Sequence, residues 1–183
     1  MQLYIGRPNE NTNREDRELR VYDFLDNLNI DYQRVDHEKA ETMEACEEID
    51  KVLGVKMCKN LFLCNRQKTQ FYLLMMPGDK PFKTKILSHT LSLPRLSFAS
   101  EEFMLEFLDI KPGSVSVMGL MNDKNKNVQL IIDSEVASAE YVGCHPCVNT
   151  SSLRIKTEDL LNKFLTEVNH KPIITDLPQE TEE

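Results

Sequence analysis

The chain lacks several features that would assign a protein quickly to a class. It has no tryptophan and only 6 glycines among 183 residues. It also has no Gly-x-Gly-x-x-Gly or Walker loop, so a nucleotide-binding fold has no support. No apolar run approaches the roughly 18 residues that a membrane-spanning helix requires. Residues 1–8 are too polar for a secretory signal, and we expect neither export nor a membrane partner.

Cysteine is present, but not as a disulfide framework. The chain has 5 cysteines, an odd number, which favours a reducing, cytoplasmic setting. Cys144 and Cys147 form a Cys-x-x-Cys pattern, which is typical of a redox pair or of half a zinc site. A thioredoxin-like pair would open an early helix, and the spacing of Cys58 and Cys64 suits a zinc site poorly. Redox and zinc chemistry therefore stay as the weaker alternatives for this segment.

The charge of the chain is unevenly distributed. The net charge of −8 argues against a nucleic-acid partner. Residues 59–100, however, carry seven basic side chains against one acidic side chain, Asp79, so this window has a charge of +6 and the remainder −14. The basic residues are Lys59, Arg66, Lys68, Lys80, Lys83, Lys85 and Arg95. Such a window indicates a phosphate-bearing ligand, and the alternative is a solvated helix face.

The hydrophobic pattern predicts an α/β protein of the α+β type. Tight turns join several strands, and the regular alternation of a doubly wound fold is missing, so we expect a mixed, mostly antiparallel sheet surrounded by helices. Helices are predicted over residues 14–29, 42–54, 83–93, 100–108 and 157–168, with one helical turn over 136–139. Strands are predicted over residues 30–35, 60–65, 70–76, 96–99, 115–118 and 128–132. One domain over residues 1–170 would precede a tail, residues 171–183, that we expect to be partly disordered.

Three segments could carry chemistry. Lys59 opens a predicted strand and could pair with a phosphate or polarise an ester, although a surface lysine would have the same pattern. Gly113 and Gly119 bracket a run of small residues whose backbone N–H groups could face an oxyanion, or could simply connect a helix to a strand. His145 could transfer a proton and Asn149 could orient a substrate; otherwise His145 is a strand-end residue bonded to the backbone.

Taken together, these segments resemble the YbaK-like aminoacyl-tRNA editing family. The branch they resemble is that of the freestanding prolyl-tRNA editing proteins, relatives of the editing domain inserted in bacterial prolyl-tRNA synthetases. The resemblance covers roughly residues 15–168. It is carried by residues 35–37 (Val-Asp-His), 59–63 (Lys-Asn-Leu-Phe-Leu), 96–100, 112–116, 119–120 with 122–123, and 145–146 with 149–150.

The resemblance implies the editing-domain fold and hydrolysis of a wrongly attached amino acid, above all alanine, from tRNA(Pro). It implies no metal or other cofactor, and attack by a water assisted by a ribose hydroxyl of the substrate. Lys59 would lie near the phosphate of the terminal adenosine, and His145 would line the pocket. The residues expected to bind the substrate are Asn60, Gly113, Ser114, Val115, Ser116, Val117, Gly119, Asn149 and Thr150. The tRNA backbone would lie across Lys80, Lys83 and Lys85, and prolyl-tRNA synthetase would be a further partner.

One position departs from the family pattern. Its loop reads Gly-x-x-x-Pro, whereas Val117 occupies the proline position here. Valine does not fix φ and restores a backbone N–H, so the loop would be less rigid. This leaves two alternatives open: a catalytically weak protein that senses aminoacyl-tRNA or an amino acid, and a cysteinyl-tRNA deacylase.

Overall fold

A computed structural model describes residues 1–179. Its strands are β1 (Leu3–Ile5), β2 (Tyr32–Asp36), β3 (Cys58–Asn65), β4 (Phe71–Pro77), β5 (Leu96–Phe98), β6 (Val128–Asp133), β7 (Tyr141–Cys144), β8 (Ser151–Lys156) and β9 (Ile173–Thr175). Its helices are α1 (Asp16–Asn27), α2 (Met43–Leu53), α3 (Thr84–Thr90), α4 (Glu101–Leu108), α5 (Ser134–Ser138), α6 (Thr157–Asp159) and α7 (Leu165–Glu167). A 3₁₀ helix covers Val117–Asn122, and a π-helical segment, Leu160–Phe164, joins α6 to α7.

The strands form two sheets rather than one. The first has four strands in the order β1-β2-β8-β7, all antiparallel. The second has five strands in the order β5-β3-β4-β6-β9; β3 pairs antiparallel with β4 and β5, whereas β6 pairs parallel with β4 and β9. The prediction of a mixed, mostly antiparallel α/β architecture is confirmed. No helix within residues 1–179 is long and apolar enough to cross a bilayer.

Strand β4 lies at the centre of the second sheet and is buried on both faces. Phe71, Leu73 and Met75 belong to the larger core cluster, which also includes residues of α1 and of the first sheet. Tyr72 and Leu74 face the opposite way, into a smaller cluster under α3. A strand covered on both faces reads as a continuous apolar run, which explains why β4 was predictable.

The end signals of α2 act as the sequence predicts. The Thr42 side chain accepts a hydrogen bond from the backbone N of Ala45 at 3.2 Å, which satisfies one of the free N–H groups of the first turn. Gly54 ends the helix with φ of +74°, a left-handed conformation that glycine adopts at little cost.

Other predicted elements need correction. Residues 115–118 do not form a strand, because the 3₁₀ helix begins at Val117. The Ser100 side chain makes no capping bond to α4, and Thr157 is the first residue of α6 rather than its cap. Strands β1, β7 and β8 were missed. Strands β1 and β7 have only three and four residues, too few to show alternation, and β8 begins with two buried serines, Ser151 and Ser152, that hide it.

The predicted tail is partly structured. Residues 173–175 form β9, which extends the second sheet alongside β6, so the sheet continues beyond the expected boundary at residue 170. The end of the predicted tail, residues 180–183, lies outside the described residues.

Candidate active site

The segments that carry Lys59 and His145 meet at an isolated parallel bridge between Met57 and Gly143. The bridge joins the start of β3 to the end of β7, and so links the two sheets. Lys59 and His145 each follow the bridge by two residues on their own segment. A Cβ added at Gly143 would lie 3.0 Å from the carbonyl oxygen of Lys56 and from Sδ of Met57, so this close approach favours glycine. The bridge therefore places the segments that carry Lys59 and His145 side by side; we call this region an edge of the site.

Lys59 is a half-buried cation with a neutral partner. Its Nζ donates a hydrogen bond to the carbonyl oxygen of Lys80 at 2.7 Å. Within residues 1–179, no carboxylate forms a salt bridge with it. A carbonyl oxygen orients the ammonium group but does not neutralise its charge, so Lys59 can still attract an anion.

His145 is held in one tautomer by the backbone. Its Nδ1 lies 2.9 Å from the carbonyl oxygen of Ser151. Since a carbonyl can only accept, Nδ1 carries the proton and Nε2 is left as an acceptor. Burial lowers the pKa of His145 below its ordinary value; the bond to Ser151 opposes this shift and the nearby His37 adds to it. A neutral imidazole with an unprotonated Nε2 can accept a proton at neutral pH.

His37 is the site residue that the sequence prediction left out. Its ring centroid lies 6.4 Å from that of His145. Its Nδ1 lies 2.7 Å from the carbonyl oxygen of Glu38, which requires a proton on Nδ1, and its Nε2 lies 2.8 Å from Oγ of Ser152. The Val-Asp-His segment that ends in His37 carried part of the family resemblance, and that signal could have identified it.

A charged network beneath His37 fixes the end of β2. Asp36 accepts hydrogen bonds from Nη2 of Arg14 at 2.8 Å, from Nε of Arg34 at 2.9 Å and from Oγ of Ser151 at 3.0 Å. Burial raises the pKa of Asp36, but the bonds from Arg14 and Arg34 outweigh it, and the pKa lies below its ordinary value. The ionised carboxylate therefore ties the segment before α1 to β2 and β8, next to the two histidines.

The Gly113 loop lies against Asn149. Gly113 has φ of +82°, and a Cβ added to it would lie 3.4 Å from Nδ2 of Asn149. Ser116 connects this loop to His145, because its Oγ donates to the carbonyl oxygen of His145 at 2.5 Å. The same Oγ accepts a bond from the backbone N of Met118 at 3.2 Å. The loop, Asn149 and His145 are therefore held in one arrangement.

We call Lys59, His37, His145, Gly113 and Asn149 the site edge. Together they present a cation that forms no salt bridge within residues 1–179, two imidazoles, an amide and a glycine backbone. This set can hold an anionic group, bind a polar substrate and move a proton. Ser152, whose Oγ lies 2.8 Å from Nε2 of His37, is fully buried, so we expect a water molecule rather than this serine to supply the attacking oxygen.

The remaining predicted substrate contacts lie around this edge. Asn60 points to the face of β3 opposite Lys59, and its buried Oδ1 has no hydrogen-bond partner. Thr150 is exposed, and its carbonyl oxygen accepts from the backbone N of His37 at 3.0 Å. Ser114 is buried and Val115 packs against the larger core, so a substrate could meet these two residues only through their backbone.

Val117 and Gly119 are part of the core rather than of a substrate surface. Val117 is fully buried as the first residue of the 3₁₀ helix. A Cβ at Gly119 would lie 2.6 Å from Cδ1 of Ile110 and 3.0 Å from Cβ of Leu108. Gly119 therefore allows close packing after α4, and its backbone N donates to the carbonyl oxygen of Ser116 at 3.0 Å; that its backbone contacts the substrate stays a prediction.

The prediction that Lys80 contacts tRNA also needs correction. Lys80 is 4% exposed, and its Nζ lies 2.8 Å from Oδ2 of Asp133 and 3.1 Å from Oε2 of Glu135. It also donates to the carbonyl oxygen of Leu177 at 2.9 Å. Sequence alone could not distinguish this ammonium group from the exposed Lys83 and Lys85, which flank the start of α3.

The Cys-x-x-Cys pair is buried. Cys144 and Cys147 are both free thiols, and Cys144 packs in the larger core cluster. Burial raises the pKa of Cys144 well above its ordinary value and that of Cys147 to about 12. Their thiolates are therefore scarce at neutral pH, and their placement is that of small core residues.

A family model described as the aminoacyl-tRNA editing domain matches residues 37–163. Among curated proteins, the prolyl-tRNA editing protein ProX of Acetoanaerobium sticklandii is 32% identical over 136 residues, which cover 74% of this chain and 83% of the relative. The prolyl-tRNA synthetase associated domain-containing protein 1 of Danio rerio is 32% identical over 154 residues, 83% of each chain.

Solved structures support the same fold. A candidate trans-editing enzyme for prolyl-tRNA synthetase superposes with a TM-score of 0.66 at 15% identity, covering 91% of this chain and 99% of that chain. The crystal structure of the hypothetical protein APE2540 superposes with a TM-score of 0.63 at 17% identity, covering 85% of this chain and 97% of that chain. At such identities, the likeness concerns the fold alone.

Proposed function

Since the chain belongs to the aminoacyl-tRNA editing domain family, it is an aminoacyl-tRNA deacylase, and we propose that it hydrolyses alanyl-tRNA(Pro) in trans without a metal. The observation that carries the proposal is the bridge between Met57 and Gly143, which places the segments of Lys59 and His145 side by side. The ammonium group of Lys59 bonds to a backbone carbonyl and forms no salt bridge in the described part of the chain, and His145 is a neutral imidazole whose Nε2 is unprotonated.

Hydrolysis of the ester does not require a strong nucleophile from the protein. An aminoacyl ester is already activated, so positioning a water and stabilising the developing oxyanion can supply most of the rate. The water oxygen adds to the ester carbonyl, and the carbon–oxygen bond to the ribose then breaks. A proton passes from the water to the leaving ribose oxygen, which yields the free amino acid and the uncharged tRNA.

Each part of the site edge has a role in this scheme. Lys59 binds the phosphate next to the terminal adenosine. Backbone groups around Gly113 hold the aminoacyl group, with Asn149 beside them. Nε2 of His145 accepts a hydrogen bond from the water or from the ribose hydroxyl that assists it. Correct prolyl-tRNA is excluded sterically, because a pocket sized for a small side chain can reject a larger one.

A deacylation assay tests the proposal. Wild type and Lys59→Ala are each incubated with alanyl-tRNA(Pro), prolyl-tRNA(Pro) and cysteinyl-tRNA(Cys), with and without prolyl-tRNA synthetase. We expect fast hydrolysis of the alanyl ester by the wild type only, unchanged by a chelator. Preferred hydrolysis of the cysteinyl ester would favour the cysteinyl-tRNA deacylase, and saturable binding without turnover would favour a sensor.

A further inference from the structure

Strand β5 is the free edge of the second sheet and carries an exposed aromatic side chain. Phe98 is 63% exposed, although a large aromatic ring is normally well buried. Its ring lies 6.4 Å from that of Phe82, measured between centroids, at an angle of 73° between the ring planes. Phe82 packs against the smaller core cluster. Phe98 is therefore supported on one side and open to solvent on the other.

The open ring lies on the same face of the sheet as Lys59. Phe98 is directly opposite Leu63 in the antiparallel register, and Lys59 and Leu63 share one face of β3 because side chains alternate along a strand. At 3.3 Å per residue, the two positions on β3 are roughly 13 Å apart. Helix α3, which carries the exposed Lys85, packs beside β5.

Further along the same strands lies a group of exposed cations. Arg66 and Arg95 line one surface groove, next to the pairing of Asn65 with Leu96. Lys68 lies in the same turn, where its backbone N bonds to the carbonyl oxygen of Asn65 at 3.1 Å. Within residues 1–179, the side chains of Arg66, Lys68 and Arg95 make no hydrogen bond or ion pair. Their charges are therefore available to a ligand.

We propose that Phe98, Arg66, Lys68 and Arg95 form a nucleic-acid track, on which a base of the single-stranded 3′ end of tRNA stacks on Phe98 and backbone phosphates further along contact the three cations. The inference rests on the proposed function, which places the esterified end at Lys59. An open aromatic ring next to unpaired cations is the combination that binds single strands with little sequence preference. This track replaces Lys80 as the route of the tRNA backbone.

The first experiment separates the track from the site edge by using two substrates. Phe98→Ala, Phe98→Trp and Arg66→Gln/Arg95→Gln are compared with wild type on full-length alanyl-tRNA(Pro) and on 3′-alanyl-adenosine, which is too short to reach the track. We expect KM for the full tRNA to rise about tenfold in Phe98→Ala and in the double variant, with kcat unchanged. Phe98→Trp should retain the wild-type KM, and hydrolysis of alanyl-adenosine should be unaffected throughout.

The matched control is Lys51→Gln/Lys156→Gln, which removes the same charge from two exposed lysines of α2 and β8. Binding of uncharged tRNA, followed by fluorescence anisotropy at several salt concentrations, adds a readout that does not need turnover. The salt slope should fall by nearly two in Arg66→Gln/Arg95→Gln and little in the control. Equal losses in the two double variants, or no loss in Phe98→Ala, would overturn the track. An inactive wild type that still binds tRNA along Phe98 would instead overturn the proposed function.

Discussion

Lys59 and Lys80 come from the same basic window, and Nζ of Lys59 donates a hydrogen bond to the backbone carbonyl of Lys80, yet the two side chains have opposite roles. The ammonium of Lys80 is almost completely buried and lies between the carboxylates of Asp133 and Glu135. That of Lys59 is half-buried and bonds to a backbone carbonyl. A cation neutralised by carboxylates belongs to the structure of the protein, whereas one that only a carbonyl orients is available to a ligand. The partners of a lysine, not its position in a basic window, decide what it does.

The pKa of Lys80 shows how completely its partners compensate for burial. Burial lowers this pKa, but the hydrogen bonds to Asp133 and Glu135 raise it by a larger amount, so the pKa of Lys80 lies above its ordinary value. Removing one member of such a pair leaves a buried charge without a partner, which is costly. We therefore expect substitution of Lys80 to affect mainly stability and substitution of Lys59 to affect mainly activity.

The largest expected effect is the loss of stability in Lys80→Met. Because Asp133 is fully buried, loss of the ammonium should destabilise the fold by roughly 3–5 kcal/mol. Urea unfolding followed by circular dichroism measures this change. The double variant Lys80→Met/Asp133→Asn should recover much of it, because the amide carries no charge. A loss below about 1 kcal/mol in the single variant would show that the pair does not hold β6 to the chain before α3.

Lys59→Ala should have the reverse profile. We expect kcat/KM for alanyl-tRNA(Pro) to fall by about 10²-fold, because without the phosphate contact the ester is no longer held in position for attack. Stability should change by only about 1 kcal/mol, the value of one hydrogen bond. Lys56→Ala is the matched control, since this lysine is exposed and forms a surface pair with Asp79. Comparable activity in the two variants would contradict a special role for Lys59.

The pH dependence of activity tests His145. Since burial lowers the pKa of His145 from 6.5, kcat/KM should be constant near neutrality and fall only at lower pH, where Nε2 is protonated. His145→Gln should remove this acid limb and lower the rate by about 10²-fold. His89→Gln, a change at an exposed histidine of α3, should leave the profile intact. An acid limb that persists in His145→Gln would assign the titration to another group.

The same shift affects stability. The unfolded chain binds a proton on His145 at a higher pH than the folded chain does, so the contribution of this residue is lost as the pH falls through 6.5 towards the lowered pKa. The lowered pKa of Asp36 acts in the same direction at more acidic pH, because its carboxylate is favoured in the fold. The free energy of unfolding that His145 and Asp36 contribute should therefore decrease from neutral to acidic pH, whereas the pKa of Asp50, raised by burial, acts in the opposite direction.

The smallest expected effect is that of Val117→Pro. Val117 is the first residue of the 3₁₀ helix, a position where proline is favoured because the N–H has no acceptor within the helix. We expect stability to change by no more than about 1 kcal/mol, with deacylation preserved. Unfolding and kcat/KM measured together check this. A loss of activity without a loss of stability would mean that the valine itself sets the substrate preference.

The sequence by itself determined the elements whose pattern is local. Strand β4 reads as an apolar run because both of its faces are covered, and Thr42 and Gly54 mark the ends of α2 because capping depends on neighbouring residues. The family could also be inferred from the sequence, since the segments that resemble it keep their order along the chain. Lys59, His145 and the Gly113 loop were identified as candidates in this way.

Only the tertiary structure decided how those residues are used. The bridge between Met57 and Gly143, far apart in sequence, brings Lys59 beside the segment of His145. Lys80 is structural because it pairs with Asp133, which comes from another strand, whereas Lys59 has no such partner among the described residues. Arg66 and Arg95 lie close together only because β3 pairs with β5. Burial and ion pairing are properties of contacts between distant segments, so no local pattern in the sequence can specify them.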